Sequence, residues 1–223
     1  YLHGYWAPVE AQQAGFKLHE AVQAASEAGS DLIMVMPDRF SKLRGGFYSS
    51  SPTVGDYESF VAEDLVQWVD GNYRTIATRA SRGLAGHSMG GYVALELLRS
   101  APQRVEALAL LNTHARPDSA EASENRRRLL ALAETDFQAV IDAQTPKLVT
   151  PAHLKDGAIA GTIAAMGLAV GKEAFRRQQQ AIMGRIDSRP HLKDIACPTL
   201  VVAGRDDQLM PVELLAELAA GIP

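Results

Sequence analysis

Residues 83–91 read "GLAGHSMGG", and this stretch decides the fold. An apolar run stops at Gly86, a helical pattern starts at Met89, and Ser88 lies between them. A strand-to-helix turn this sharp strains the backbone of the serine and brings neighbouring chain close, which favours glycine two residues to either side. Ser88 then stands at a helix N-terminus, where N–H groups stabilise developing negative charge. The stretch therefore predicts a nucleophilic serine.

The bulk composition is that of a globular chain of one domain. The 223 residues are 47% hydrophobic and 22% charged, with a formal net charge of −4. This charge gives no reason to expect nucleic acid or an anionic membrane as a partner. Cys197 is the only cysteine, so an internal disulfide is excluded. No apolar run approaches the length of a membrane span.

Short apolar runs alternate with amphipathic stretches, which is typical of a parallel sheet flanked by helices. The runs are almost continuously apolar, as strands buried on both faces should be. Helices are expected at residues 11–28, from Val61 through Leu65 and Trp68 to about Asp70, and from Met89 to about Arg99. The predicted strands are residues 32–37, 82–88, 105–112 and 199–204.

Residues 115–190 break this alternation, because several helical segments follow one another without a strand. One apolar face holds Ile159, Ile163, Met166 and Val170, and a second holds Phe175, Ile182 and Ile186. We interpret the region as a helical lid over the carboxyl edge of the sheet, where ligands bind in open α/β sheets. Extra packing helices are the alternative. The predicted division is 1–114 for the first part of the core, 115–190 for the lid and 191–223 for an incomplete second part.

The chain resembles the α/β-hydrolase superfamily over essentially its whole length. "LHGYW" (2–6) is similar to the family's His-Gly oxyanion segment, "GHSMGG" (86–91) to its nucleophile turn, and "GRDDQLMP" (204–211) to its acid loop. The N-terminal half resembles esterase D and feruloyl-esterase-like enzymes. From about Val105 the chain looks more like lid-bearing enol-lactonases and small carboxylesterases, on stretches such as "LALLNTHARPD" and "CPTLVVAGRDDQLMP".

The resemblance assigns roles to particular residues. Ser88 would be the nucleophile, and the backbone N–H groups of Met89 and Tyr5 would form the oxyanion hole. Spacing in the acid loop selects Asp207, with Asp206 in reserve; the alternative is that both aspartates only form the turn and cap the next helix.

The histidine of the triad is the open question. The family places it one strand beyond the acid loop, so we expect it after Pro223. His114, at the end of a predicted strand, is the one weak candidate within the chain. His114, His87 and Trp6 are expected to line the substrate site. Because the chain starts at Tyr1 without Met and stops after a predicted helix, we expect it to be truncated at both ends.

These observations predict a serine hydrolase that cleaves a carboxylic ester or a lactone through an acyl-enzyme. The alternatives on the same fold are an acyltransferase, a C–C hydrolase, a perhydrolase, or an inactive ligand-binding protein that lacks its histidine. No nucleotide-binding or zinc-ligand spacing occurs, so no cofactor or metal is expected. The sequence leaves open whether the protein forms a homo-oligomer. It does not determine the compartment, with a slight preference for the cytoplasm.

Overall fold

A computed structural model describes residues 1–2, 17–37 and 59–223. Within these ranges three strands form one parallel sheet in the order β1 (Gly83–His87), β2 (Ala107–Leu111) and β3 (Thr199–Val202). On the other side of β1, Leu2 forms an isolated parallel bridge with Gly86. The arrangement confirms the predicted parallel sheet.

The helices occupy most of the remaining described chain. The α-helices are α1 (Leu18–Glu27), α2 (Leu65–Asn72), α3 (Met89–Ser100), α4 (Ala120–Thr135), α5 (Phe137–Gln144), α6 (Pro151–Leu154), α7 (Gly157–Val170), α8 (Lys172–Met183) and α9 (Val212–Ala220). A π-helical turn, Phe60–Asp64, leads into α2, and short 3₁₀ turns lie at Arg79–Ser81, Pro102–Arg104, Thr145–Lys147 and Arg189–Asp194.

Among the described residues three apolar clusters hold these elements together, and the smallest joins Met89 and Tyr92 of α3 to Ile182 of α8. The first surrounds β2 and the inner face of α3 and includes Leu2, Val93, Leu110 and Leu218. The second lies among the helices after β2. Its buried members are Ala133, Val140, Ile141, Val170, Ala174 and Phe175. Residues 120–183 are therefore helical, as predicted, and share an apolar core of their own.

Local signals explain where these helices begin. The Ser119 hydroxyl accepts a hydrogen bond from the N–H of Ala122 at 3.0 Å, and the Asp136 carboxylate accepts from Ala139 at 2.9 Å. Such caps satisfy N–H groups that lack a partner within the helix. Between α7 and α8 the chain turns through 88° at Gly171, whose φ of 79° suits glycine. No single helix within the described ranges is long and apolar enough to cross a membrane, although α7 and α8 pass that test as a bent pair.

Three details of the sequence prediction are wrong. Residues 32–37 form no strand; the Tyr1 ammonium group bonds to the Val35 carbonyl, but Leu32 and Ile33 are exposed. A strand needs a continuous ladder, which a run of apolar residues does not by itself supply. Trp68 is 56% exposed, whereas Val61 and Ala62 in the preceding π-helical turn pack against the first cluster. Ile186 lies beyond the end of α8 and is exposed too.

Candidate functional site

Ser88 occupies a strained turn between β1 and α3. Its φ of 51° and ψ of −116° lie outside the regions that L-residues ordinarily adopt. The backbone is fixed on both sides: the Ser88 N–H donates to the Leu111 carbonyl at 2.9 Å, and the Ser88 carbonyl accepts from the Gly91 N–H at 3.0 Å. The surrounding structure therefore imposes this conformation on the serine.

Two glycines allow the turn to close. A Cβ at residue 86 would lie 2.4 Å from the Gly90 carbonyl oxygen and 2.7 Å from the Gly91 Cα. A Cβ at residue 91 would lie 2.5 Å from the Thr113 side chain. These separations are shorter than real Cβ contacts, so both positions exclude a side chain unless the chain moves. The glycine predicted two residues before Ser88 therefore has a steric basis, and Gly91 is a second position with one that the pattern did not include.

The end of β2 contributes Asn112 and Thr113, which the sequence analysis missed. Thr113 is fully buried, and its hydroxyl donates to the Ser88 carbonyl at 2.9 Å. Asn112 has a positive φ of 45°, a conformation that asparagine tolerates better than most residues. Its Nδ2 donates to Oδ2 of Asp207. The one sequence signal was their place at the carboxyl end of a strand next to the serine.

Asp207 and Asp206 differ clearly in their surroundings. Asp206 is exposed, whereas Asp207 is half-buried in the loop after β3. Oδ1 of Asp207 accepts from the N–H groups of Leu209 and Met210 at 2.8 and 2.9 Å, and Oδ2 accepts from Asn112. The carboxylate is thus held at the edge of the sheet where Ser88 lies, and Oδ2 retains capacity for one more donor.

His114 lies in a pocket of cationic groups. Its Nδ1 accepts from the Arg116 N–H at 3.2 Å, and its Nε2 lies 3.3 Å from Nη2 of Arg185. Burial, together with the positive charge of Arg185, lowers the pKa of His114 to about 4. Its ring packs edge-to-face on Tyr92 at 5.5 Å between centroids. His114 is therefore a weak base at neutral pH, and its nitrogens face arginines.

The remaining predicted site residues are Met89, His87, Tyr5 and Trp6. Met89 is buried at the first position of α3, where a helix leaves N–H groups without intrahelical partners. His87 ends β1; burial lowers the pKa of its ring, and the nearby charge of Asp207 partly offsets this. Tyr5 and Trp6 lie outside the described residues.

The structure thus brings Ser88, Met89, His87, His114 and Asp207 to the carboxyl edge of one sheet. Ser88 follows β1, His114 follows β2 and Asp207 follows β3, and the last residues of the three strands are in register. In the ranges that the structure describes, no three His, Cys, Asp or Glu side chains are grouped in a way that could hold a metal ion.

A parallel sheet carrying a strained serine turn and a cluster of helices after the next strand defines the chain as an α/β hydrolase. The family described as "Putative esterase" matches residues 16–220. The chain belongs to this esterase family.

Individual relatives agree with this classification. "Putative carbamate hydrolase RutD" of Azorhizobium caulinodans is 33% identical over 154 residues, which cover 63% of this chain and 54% of that protein. A thermophilic esterase from Thermogutta terrifontis, solved with malate bound, has 30% identity and a TM-score of 0.59, covering 73% of this chain and 59% of that one. The enol-lactonase of Burkholderia xenovorans LB400 has 29% identity and a TM-score of 0.57, covering 72% and 61%. The chain thus spans little more than half the length of these relatives.

Proposed function

We propose that this chain carries the nucleophile and the acid of a serine hydrolase that cleaves a carboxylic ester or a lactone. The observation that carries the proposal is the backbone of Ser88, with its φ of 51° and ψ of −116° at a strand-to-helix turn. Strain of this kind costs on the order of 1–3 kcal/mol and is concentrated at active sites. The family membership supports a hydrolase; the ester or lactone substrate and the acyl-enzyme are the proposal.

In this mechanism Ser88 Oγ attacks the carbonyl carbon and loses its proton to a base. The oxyanion that forms would be held by N–H donors, and such stabilisation is the largest single contribution in many acyl-transfer enzymes. The Met89 N–H at the start of α3 would be one donor, and the Tyr5 N–H would be the second. The alcohol then leaves with a proton, and water hydrolyses the acyl-Ser88 ester to the free acid.

Asp207 would orient the base and stabilise its cation. Its three hydrogen bonds fix the carboxylate, and Oδ2 has room for an imidazole N–H. His114 suits the role of base poorly because its pKa is about 4 and its nitrogens face Arg116 and Arg185. We propose that the base is a histidine that follows Pro223, and we keep His114 and His87 as residues that line the site.

The test uses the full-length protein and the pair Ser88→Ala and Ser100→Ala. Ser100 lies at the other end of the same helix, where its hydroxyl bonds to the Glu96 carbonyl, so it is a matched control. Ser88→Ala should lose labelling by a fluorophosphonate probe and at least about 10³-fold in kcat/KM for p-nitrophenyl acetate. Ser100→Ala should behave as the unmodified protein. Near-normal turnover by Ser88→Ala would show that the mechanism is wrong.

A carbamate is the second candidate substrate, favoured by the similarity to proteins named "Putative carbamate hydrolase RutD". The same attack by Ser88 on a carbamate ester would expel the alcohol with a proton and leave a carbamoyl group on Ser88. Water would then hydrolyse this group to carbamic acid, which decomposes to ammonia and carbon dioxide. Parallel assays of ammonia release from phenyl carbamate and of p-nitrophenolate release from p-nitrophenyl acetate distinguish the two. A kcat/KM for the carbamate above that for the ester would favour the second candidate.

A further inference from the structure

Arg185 lies in the turn after α8. Among the described residues, the groups that hold its guanidinium in place are all neutral. Its guanidinium carbon lies 3.8 Å above the centre of the Tyr92 ring. Nε and Nη2 donate to the Arg116 carbonyl at 3.2 and 2.7 Å, and Nη2 lies 3.3 Å from Nε2 of His114. These contacts orient the guanidinium without neutralising its charge.

The neighbouring acids are already committed to other cations. Asp118 pairs with Arg126 at 3.1 Å, and Glu217 pairs with Arg116 at 2.6 Å. Nη1 of Arg185 is buried and has no hydrogen-bond acceptor among the residues that the structure describes. An unpaired buried donor costs about 1–3 kcal/mol, and buried charges are ordinarily paired. The arginine therefore carries a positive charge that no described carboxylate pairs with and a buried N–H donor that no described residue satisfies.

A second buried polar group lies on the neighbouring helix face. Gln178 is 1% exposed, and neither its amide oxygen nor its amide nitrogen has a partner within the described ranges. It lies one turn before Ile182 on α8, and Ile182 packs against Met89 and Tyr92. Residues four apart on a helix share a face. Gln178 therefore lies on one face of α8 between Ala174, which belongs to the second apolar cluster, and Ile182, which packs beside the serine turn.

Both groups are connected to the candidate site through the same small cluster. Tyr92, on which Arg185 stacks, packs with Met89, the residue after Ser88. The Tyr92 hydroxyl lies 4.0 Å from the sulfur of Met210, whose N–H donates to Asp207. The positive charge of Arg185 thus lies beside the cluster that joins the serine turn to the acid loop.

We propose that Arg185 binds a carboxylate carried by the substrate and that Gln178 donates a second hydrogen bond to the same part of the substrate. The substrate class is then an ester or lactone with a free carboxylate a few bonds from the reacting carbonyl. The inference rests on the proposed function. A planar guanidinium with an unsatisfied N–H donor suits a carboxylate better than an uncharged group of the substrate, because charge-assisted hydrogen bonds are stronger than neutral ones.

The test compares two esters on the full-length protein: mono-p-nitrophenyl glutarate and its methyl-capped form, which lacks the charge. The unmodified protein should prefer the charged ester, and Arg185→Gln should lower kcat/KM for that ester about 10- to 100-fold. The capped ester should change less than about threefold. Arg185→Lys should keep part of the activity on the charged ester that Arg185→Gln loses, since lysine retains the positive charge but lacks the paired N–H donors of a guanidinium. Gln178→Leu should weaken the preference for the charged ester and raise the melting temperature.

Arg176→Gln is the matched control, because Arg176 lies on α8, has a side chain that is 42% exposed and pairs with Glu173. It should leave both esters unaffected. An equal loss on both esters with Arg185→Gln, or no preference for the charged ester in the unmodified protein, would overturn the inference. Melting curves of each variant show whether it folds.

A binding measurement separates this inference from the proposed function. Calorimetric titration of glutarate into Ser88→Ala needs no turnover, and adding Arg185→Gln should weaken the affinity at least tenfold. If Ser88→Ala keeps its activity while glutarate binding depends on Arg185, the proposed mechanism fails and the carboxylate site stands. If Ser88 is labelled and essential while glutarate does not bind, only the carboxylate site fails.

Discussion

Replacing Gly86 with alanine tests whether the packing around Ser88 is as tight as the structure indicates. The new Cβ would lie 2.4 Å from the Gly90 oxygen, about 1 Å inside the 3.4 Å at which ordinary contact begins. The atoms in the way are backbone, and Gly86 is paired with Leu110 on one side and with Leu2 on the other. The strand therefore cannot move aside without breaking hydrogen bonds.

Overpacking of this kind costs about 1–3 kcal/mol when side chains can adjust, so we expect at least about 3 kcal/mol against rigid backbone. For a chain of this length that corresponds to a melting temperature lowered by roughly 6–12 °C. Urea unfolding followed by circular dichroism measures the change. Fluorophosphonate labelling of Ser88 should also slow, because α3 can make room for the methyl group only by moving away from β1.

Gly161→Ala provides the control with the opposite sign. Gly161 lies in the interior of α7, and an added Cβ there would meet nothing within 4 Å. The same substitution should therefore stabilise the protein by about 0.5–1 kcal/mol through helix propensity. If Gly86→Ala unfolds within 0.5 kcal/mol of the unmodified protein, the close approach of β1 and α3 is not real, and the steric account of the turn is refuted.

Three further substitutions probe the surroundings of the site. Asn112→Ala removes a hydrogen bond to the Asp207 carboxylate and should cost about 1.5–3 kcal/mol in urea unfolding as well as slowing Ser88 labelling; unchanged labelling would argue against Asp207 as the acid. Burial lowers the pKa of His114 to about 4 in the folded protein. As the pH falls, the His114 ring is therefore protonated in the unfolded chain before it is protonated in the folded one. Up to about 3 kcal/mol of unfolding free energy should be lost between about pH 6.5 and 4. The unfolding free energy should change less between pH 7.5 and pH 5 in His114→Gln than in the unmodified protein. An equal change in the two proteins would contradict the lowered pKa of His114. Asp118, whose side chain is 4% exposed, is the ion-pair partner of Arg126. Asp118→Asn removes its negative charge and should lower the unfolding free energy by about 3 kcal/mol. A loss below about 1 kcal/mol would show that the pair contributes little.

The sequence was sufficient for the parts of the site that depend on the backbone. Gly86 and Ser88 could be predicted because a tight strand-to-helix turn admits few residue types, and the parallel sheet followed from continuous apolar runs. The preference for Asp207 over Asp206 came from family spacing. The structure gives the two aspartates different surroundings, but the role of Asp207 stays a prediction.

Contacts between distant side chains could not be read from the sequence. Asn112 and Asp207 are 95 positions apart, and Arg185 lies 93 positions after Tyr92. Such pairs depend on how the helices after β2 fold back, which periodicity does not specify. For the same reason His114 was a candidate base from its strand-end position alone, and the burial of its ring, together with the nearby charge of Arg185, lowers its pKa in the folded protein.

The first and second apolar clusters have no residue in common, and the small cluster of Met89, Tyr92 and Ile182 joins α3 to α8. Mutations confined to the second cluster therefore change the packing of the helices after β2 and leave the first cluster, around β2 and α3, in place. Gln178 lies on α8 within this helical segment, and Arg185 follows two residues after α8 ends. If the proposed carboxylate site is correct, a change in or just after α8 alters substrate preference while the turn that carries Ser88 keeps its conformation.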